Sequence, residues 1–112
     1  MNFSLEVGPH TDLDTLPPVN DVYITMLPGG DYKETANKSG ELVKKGFNPV
    51  PHFPARSIAD DAQLKDYISR CKDMGAKQAL VIGGSRDPIG KFDSSIQILE
   101  TGFFDGIKIG IA

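Results

Sequence analysis

Four times in this 112-residue chain a short apolar run ends in a cluster of glycine, proline and polar residues. The runs are Leu5-Glu6-Val7-Gly8-Pro9-His10, Ile24-Thr25-Met26-Leu27-Pro28-Gly29-Gly30, Pro49-Val50-Pro51-His52-Phe53-Pro54-Ala55-Arg56-Ser57 and Leu80-Val81-Ile82-Gly83-Gly84-Ser85-Arg86-Asp87-Pro88. A fifth apolar run spans Ile107 to Ala112. Strand starts at 21, 48, 78 and 107 lie 27 to 30 residues apart, the period of a βα unit. Such crossovers imply parallel strands. The C-terminal ends of parallel strands open on one face, where ligands sit. Glu6, Thr25, His52 and Ser85, spread over 80 residues, are therefore expected to converge.

The pattern predicts strands at 3–8, 21–27, 48–53, 78–83 and 107–112, and helices at 31–46, 58–74 and 93–104. In the second of these helices Leu64, Ile68, Cys71 and Gly75 recur at helical spacing, so one face points inward. Ser57 is positioned to cap its start and Gly75 to close it. The first helix carries Asp31 and Glu34 at its start, Ala36, Gly40, Val43 and Phe47 along a stripe, and Lys44-Lys45-Gly46 at its end. The third runs from Asp93 through Ile96 and Leu99 to Phe103, and Phe103-Phe104 seat it on the sheet. Between the first two strands only ten residues, 11–20 with two prolines, are left for a crossover, room for about one helical turn.

Composition narrows the function classes. A net charge of −3 from intermixed signs offers no basic stripe for nucleic acid or anionic lipid. No apolar run approaches the roughly 20 residues that span a bilayer. The sequence Met1-Asn2-Phe3-Ser4-Leu5-Glu6 lacks the regions of a secretory signal. The lone Cys71 excludes an internal disulfide and fits a reducing compartment, so a cytoplasmic location is expected. No HxH or CxxC spacing points to a metal.

Two α/β architectures compete. A doubly wound sheet reorders its strands and binds its ligand after the first one, but Gly8-Pro9-His10-Thr11 lacks GxGxxG spacing and no P-loop occurs. Functional-looking residues instead follow every strand, as in a (β/α)8 barrel of about 250 residues. The expectation is one partial domain over 1–112, an incomplete TIM-type barrel of about four and a half units. Its unpaired first and fifth strands and half-covered sheet face, formed by Leu5, Ile24, Val50 and Val81 or their neighbours, would favour a homo-oligomer.

The residues also resemble a known family. Leu5-Glu6-Val7-Gly8-Pro9-His10 is similar to the Phe-Glu-Phe-Phe-Pro-Pro first strand of methylenetetrahydrofolate reductases, and Val22-Tyr23-Ile24-Thr25-Met26 to their Val-Ser-Val-Thr-Tyr. Pro51-His52-Phe53-Pro54-Ala55-Arg56-Ser57 parallels their Pro-His-Leu-Thr-Cys, and the stretch from Leu64 to Arg86 parallels a helix and a strand ending in Leu-Arg-Gly-Asp. The resemblance covers nearly the whole chain and the first half of a family barrel. It implies a flavoprotein oxidoreductase of one-carbon metabolism that binds FAD in the barrel mouth and reduces a folate with NAD(P)H.

By that resemblance Glu6 is the general acid on the folate, since opening the folate ring needs a proton at a nitrogen leaving group. A carboxyl buried in an apolar mouth can have its pKa raised for that task. The plainer reading of Glu6 is an inward carboxylate paired with a lysine or arginine, or a solvated strand-end residue. Thr25 and His52 match flavin contacts, against the simpler roles of a β-former and a strand-end histidine bonded to backbone. Ile82, Gly83, Gly84 and Ser85 fall where the family has Leu-Arg-Gly-Asp and would let backbone approach the cofactor, or form a turn only. Arg86 and Asp87 stand for the family's arginine and aspartate, displaced along the chain, as substrate contacts, or those groups are absent. The alternative functions are a flavin- or phosphate-binding module without turnover and a non-catalytic fragment that self-associates.

Overall fold

Alternation of buried and half-buried residues marks the strands on either side of the middle of the sheet, and two-sided burial marks the middle itself. A computed structural model describes residues 4–12, 21–26, 31–83 and 95–111. Five parallel strands form one sheet: β1 (Ser4–Val7), β2 (Asp21–Ile24), β3 (Asn48–Pro54), β4 (Gln78–Ile82) and β5 (Lys108–Ile111). Their order in space is their order in sequence, β1-β2-β3-β4-β5. Among the described residues three helices connect them, α1 (Tyr32–Lys44), α2 (Asp61–Asp73) and α3 (Ser95–Glu100), with a short 3-10 turn over Ala55–Ser57 after β3. The expected crossover turn in 13–20 lies outside the described residues.

Residues paired across parallel strands share a face of the sheet. Val7, Ile24 and Pro51 are paired in one row, and Phe53 and Val81 in another. These side chains are buried on the helix side. Val7, Val22 and Ile24 pack with Leu42 of α1 and with Phe47. Phe53, Ala79 and Val81 pack with Leu64, Tyr67, Ile68 and Cys71 of α2 and Ile98 of α3. Right-handed crossovers that always step in one direction place their helices on the same side, which this core reflects. The opposite face carries Glu6, Tyr23, Val50, His52 and Leu80. This corrects the expected grouping: Ile24 and Val81 belong to the helix side, while Val50 lies on the helix-free face, and the side chain of Leu5 lies outside the described residues.

β3 is central despite Pro49, Pro51 and Pro54, which supply no N–H to a ladder. Its pairing is staggered, with Asn48–Pro51 against β2 and His52–Pro54 against β4, and every residue after Asn48 is buried. Burial on both faces holds this strand where the hydrogen-bond ladder is thinned.

Helix ends follow local chemistry. Asp31 caps α1 by accepting from the Lys33 N–H at 2.9 Å. The expected cap of α2 is corrected: Asp60, not Ser57, accepts from the Gln63 N–H at 2.9 Å, because Ala55–Ser57 is spent on the 3-10 turn. Gly46, Gly75 and Gly102 follow the three helices with φ of 88°, 95° and 70°, the left-handed conformation in which glycine meets no Cβ penalty. Gly102 thus stops α3 before Phe103. Along α1 the buried stripe runs through Ala36, Gly40 and Leu42, while Val43 is 40% exposed. Among the described residues no helix is long and apolar enough to cross a membrane.

Candidate functional site

The C-terminal ends of β1, β2 and β3 come together as parallel pairing requires. Val7 O accepts two bonds from Thr25, one from its N–H at 2.9 Å and one from its hydroxyl at 3.2 Å. The Thr25 proton is therefore used within the protein, and its oxygen keeps acceptor capacity. After β1 the chain turns tightly: the Gly8 N–H donates to Thr11 Oγ1 at 2.9 Å and the Thr11 N–H donates to Gly8 O at 3.2 Å.

Helix α1 grips this turn from outside. Lys38 Nζ, on a side chain nearly as buried as the core, donates to Thr11 O and to Glu41 Oε2, both at 2.9 Å. His10 Nε2 lies 3.2 Å from Glu34 Oε2 in an exposed pair. A buried ammonium is stable only with such partners. Lys38 therefore belongs to the scaffold that positions the loop after β1.

His52 is the most constrained polar residue of the helix-free face. It is 8% exposed, and its backbone carbonyl accepts the Tyr67 hydroxyl at 2.7 Å from the helix side. Its Nε2 is buried and has no hydrogen-bond partner among the described residues. Burial holds the imidazole pKa below 6.5, against a smaller upward pull from the Glu6 carboxylate. Tyr23 presents its ring to His52 with centroids 6.1 Å apart and planes at 60°. Glu6 is paired with Tyr23 in the sheet, and its side chain is exposed. Its exposure follows from the place of β1, which among the described residues has a neighbouring strand on one side only.

At the end of β4, Ile82 and Gly83 are half-buried, and Gly83 O accepts the Arg56 N–H at 3.2 Å, joining the turn after β3 to the turn after β4. Gly84, Ser85, Arg86 and Asp87 lie outside the described residues. Glu6, Thr25, His52, Ile82 and Gly83 are thus on the strand ends or the helix-free face.

A carboxylate, a phenol and a largely neutral imidazole on adjacent strands can donate to, accept from and stack against a polar planar ligand. The orphaned Nε2 is the atom that fits such a group, because an unmade buried hydrogen bond is costly until a ligand supplies it. Three contributors were not singled out from sequence. Tyr23 and Tyr67 read there as strand and helix residues, though Tyr67 is one turn from Leu64 and Cys71 and so shares their stripe. Lys38, mid-helix, had no local signal for burial.

A shallow cavity of about 250 Å³ lies at the other end of the sheet, lined by Val43, Phe47, Pro49, Gly75 and Lys77. It includes none of the residues above. A comparison with models of known protein families finds no match for this chain.

Proposed function

We propose that this chain supplies the first strands of an incomplete (β/α)8-type barrel and carries there the flavin- and folate-facing residues of a methylenetetrahydrofolate reductase-like oxidoreductase of one-carbon metabolism. The observation that carries the reading is His52, an imidazole 8% exposed on the helix-free face whose Nε2 has no partner among the described residues. A buried polar atom left in that state costs about 1–3 kcal/mol, which a ligand atom would recover. The sequential order of an all-parallel sheet supports the barrel, since a barrel winds its strands in sequence and a doubly wound sheet reverses direction.

In this reading Thr25, His52, Ile82 and Gly83, with Gly84 and Ser85 beyond them, hold FAD. When bound, FAD supplies hydride transfer between NAD(P)H and the folate. Glu6 gives a proton to the folate nitrogen that leaves as its ring opens, and its position beside Tyr23 on the ligand face suits that task. By the resemblance, Arg86 and Asp87 are the candidate folate contacts. A reducing cytoplasmic setting accords with the single, buried Cys71, whose thiol burial pushes up to about 12 and keeps protonated. The 63% exposed Ile111 on β5 favours a second reading, a non-catalytic chain that self-associates as a homodimer.

Titration of the chain with FAD, followed by quenching of flavin fluorescence, tests the reading. Binding weakened by His52→Ala is the expected result. A chain with intact α/β circular dichroism that takes up no FAD overturns it. In a chain extended to eight βα units, Glu6→Gln should slow folate reduction about 10²–10⁴-fold and leave flavin reduction by NAD(P)H intact.

A further inference from the structure

The helix-free face holds more than the residues assigned above. Tyr23 lies on it on β2, paired with Glu6 on one side and Val50 on the other. Val50 is 3% exposed and gives the face an apolar floor. The Tyr23 ring meets the His52 imidazole at 6.1 Å and 60°, so the two rings form a corner rather than a stack. The unpartnered, more than nine-tenths buried Nε2 belongs to one wall of that corner.

We propose that Tyr23 is a ligand-contacting residue, and that with His52 it forms a corner for the edge of a planar nitrogen heteroaromatic ring. The proposal rests on the reading of this face as a ligand site. An apolar floor and an aromatic wall favour a flat ring, because ring faces and edges attract one another in offset and T-shaped geometry. A single unpartnered nitrogen asks for one directional hydrogen bond at the ring's polar edge. A bare phosphate fits worse: among the described residues the charge that acts on His52 is the Glu6 carboxylate, and Lys108, on the same face, stands on the far strand β5. Flavin, pterin and purine share the required chemistry, so the ring source is decided by experiment.

The full 112-residue chain is titrated separately with FAD, folic acid and adenosine, as wild type and as Tyr23→Leu, Tyr23→Phe and His52→Ala. At least one ligand should bind the wild type. Tyr23→Leu should weaken that binding about 5–10-fold, as loss of an aromatic contact does, and Tyr23→Phe should hold it within about twofold. In the NMR spectrum the same ligand should move the His52 imidazole signals, leave those of His10, the other of the two histidines, in place, and show Overhauser contacts to the Tyr23 ring protons. Those contacts are read on the wild type, so they decide the matter even if Tyr23→Leu does not fold. FAD binding without Tyr23 contacts overturns this proposal and leaves the flavin reading standing. Binding of folic acid or adenosine with Tyr23 contacts, and none of FAD, sustains the proposal and removes the flavin reading. Binding of none of the three overturns it.

Discussion

Tyr67→Phe isolates one bond between the helix layer and the candidate site. The Tyr67 side chain is fully buried, its ring stacks on Phe53 with centroids 4.0 Å apart and planes at 23°, and its hydroxyl donates to His52 O at 2.7 Å. Phenylalanine keeps the ring and its stacking, so the change removes the hydroxyl and leaves a buried carbonyl with one partner fewer. That loss is worth about 1–2 kcal/mol. For a chain of this size it lowers Tm by roughly 4–9 °C, using an unfolding entropy near 2.1 cal/mol/K per residue. Urea unfolding followed by circular dichroism should give a lower midpoint at unchanged slope. Tyr67→Leu should cost more, because it also removes the contacts with Phe53 and Tyr32. A second signature appears in alkali. Burial raises the Tyr67 pKa well above its ordinary 10.0, so the phenol stabilises the fold at lower pH and that contribution is lost as pH rises past 10. Tyr32, raised to about 12 chiefly by its hydrogen bond to Asp66, acts in the same direction, so Tyr67→Phe should flatten the alkaline decline only in part. A Tyr67→Phe chain within about 0.5 kcal/mol of wild type would refute the reasoning, for then the hydroxyl holds nothing.

Asp60→Ala should lower stability by about 1 kcal/mol through loss of the α2 cap, whereas Ser57→Ala should not disturb that helix end; urea midpoints of the two variants compare them directly. Gly75→Ala should cost about 1–2 kcal/mol by thermal melting, because its φ is 95° and a Cβ there would meet Val43 at 3.3 Å. Burial lowers the folded pKa of His52 below 6.5, so the unfolded chain binds the proton more readily and stability falls as pH drops through 6.5 toward the folded value. His52→Asn should flatten that acid slope, and an unchanged slope would assign it elsewhere. Sedimentation of the 112-residue chain at micromolar concentration should show self-association that Ile111→Lys reduces, since a charge on an open strand edge opposes pairing.

What the sequence disclosed follows from which forces are local. The period of Gly- and Pro-punctuated apolar runs is local, and it predicted parallel βα units, of which the described residues show five strands and three helices. The stripe Leu64, Ile68 and Cys71 is likewise local and is buried as expected. The ends were harder. Ser57 and Asp60 are both good caps, and the choice between them was made by the 3-10 turn that Ala55–Ser57 adopts against β4. Val43 and Leu42 are adjacent on α1, and only contact with Val7, Val22 and Ile24 selects Leu42. At the candidate site, strand ends placed Glu6, Thr25 and His52 together, since pairing direction follows from the crossovers. The roles of Tyr23, Lys38 and Tyr67 depend on neighbours 29, 27 and 15 residues away, which no local pattern encodes. The exposure of Glu6 has the same origin, because it depends on what stands beside β1.

The order β1-β2-β3-β4-β5 also bears on how the chain acquires its shape. Each strand's partner is the one made just before it, so docking can proceed in the order of synthesis, with no slot held open for a strand still to come. Each addition closes a loop of about one βα unit, and the entropy of closure stays small and nearly constant at every step. Dismantling should run from the rims inward. Amide protons of β1 and β5, each with one neighbouring strand, should exchange with solvent first. Those of Val50, His52 and Phe53 in β3, enclosed on both sides, should exchange last, and they report the opening of the whole sheet.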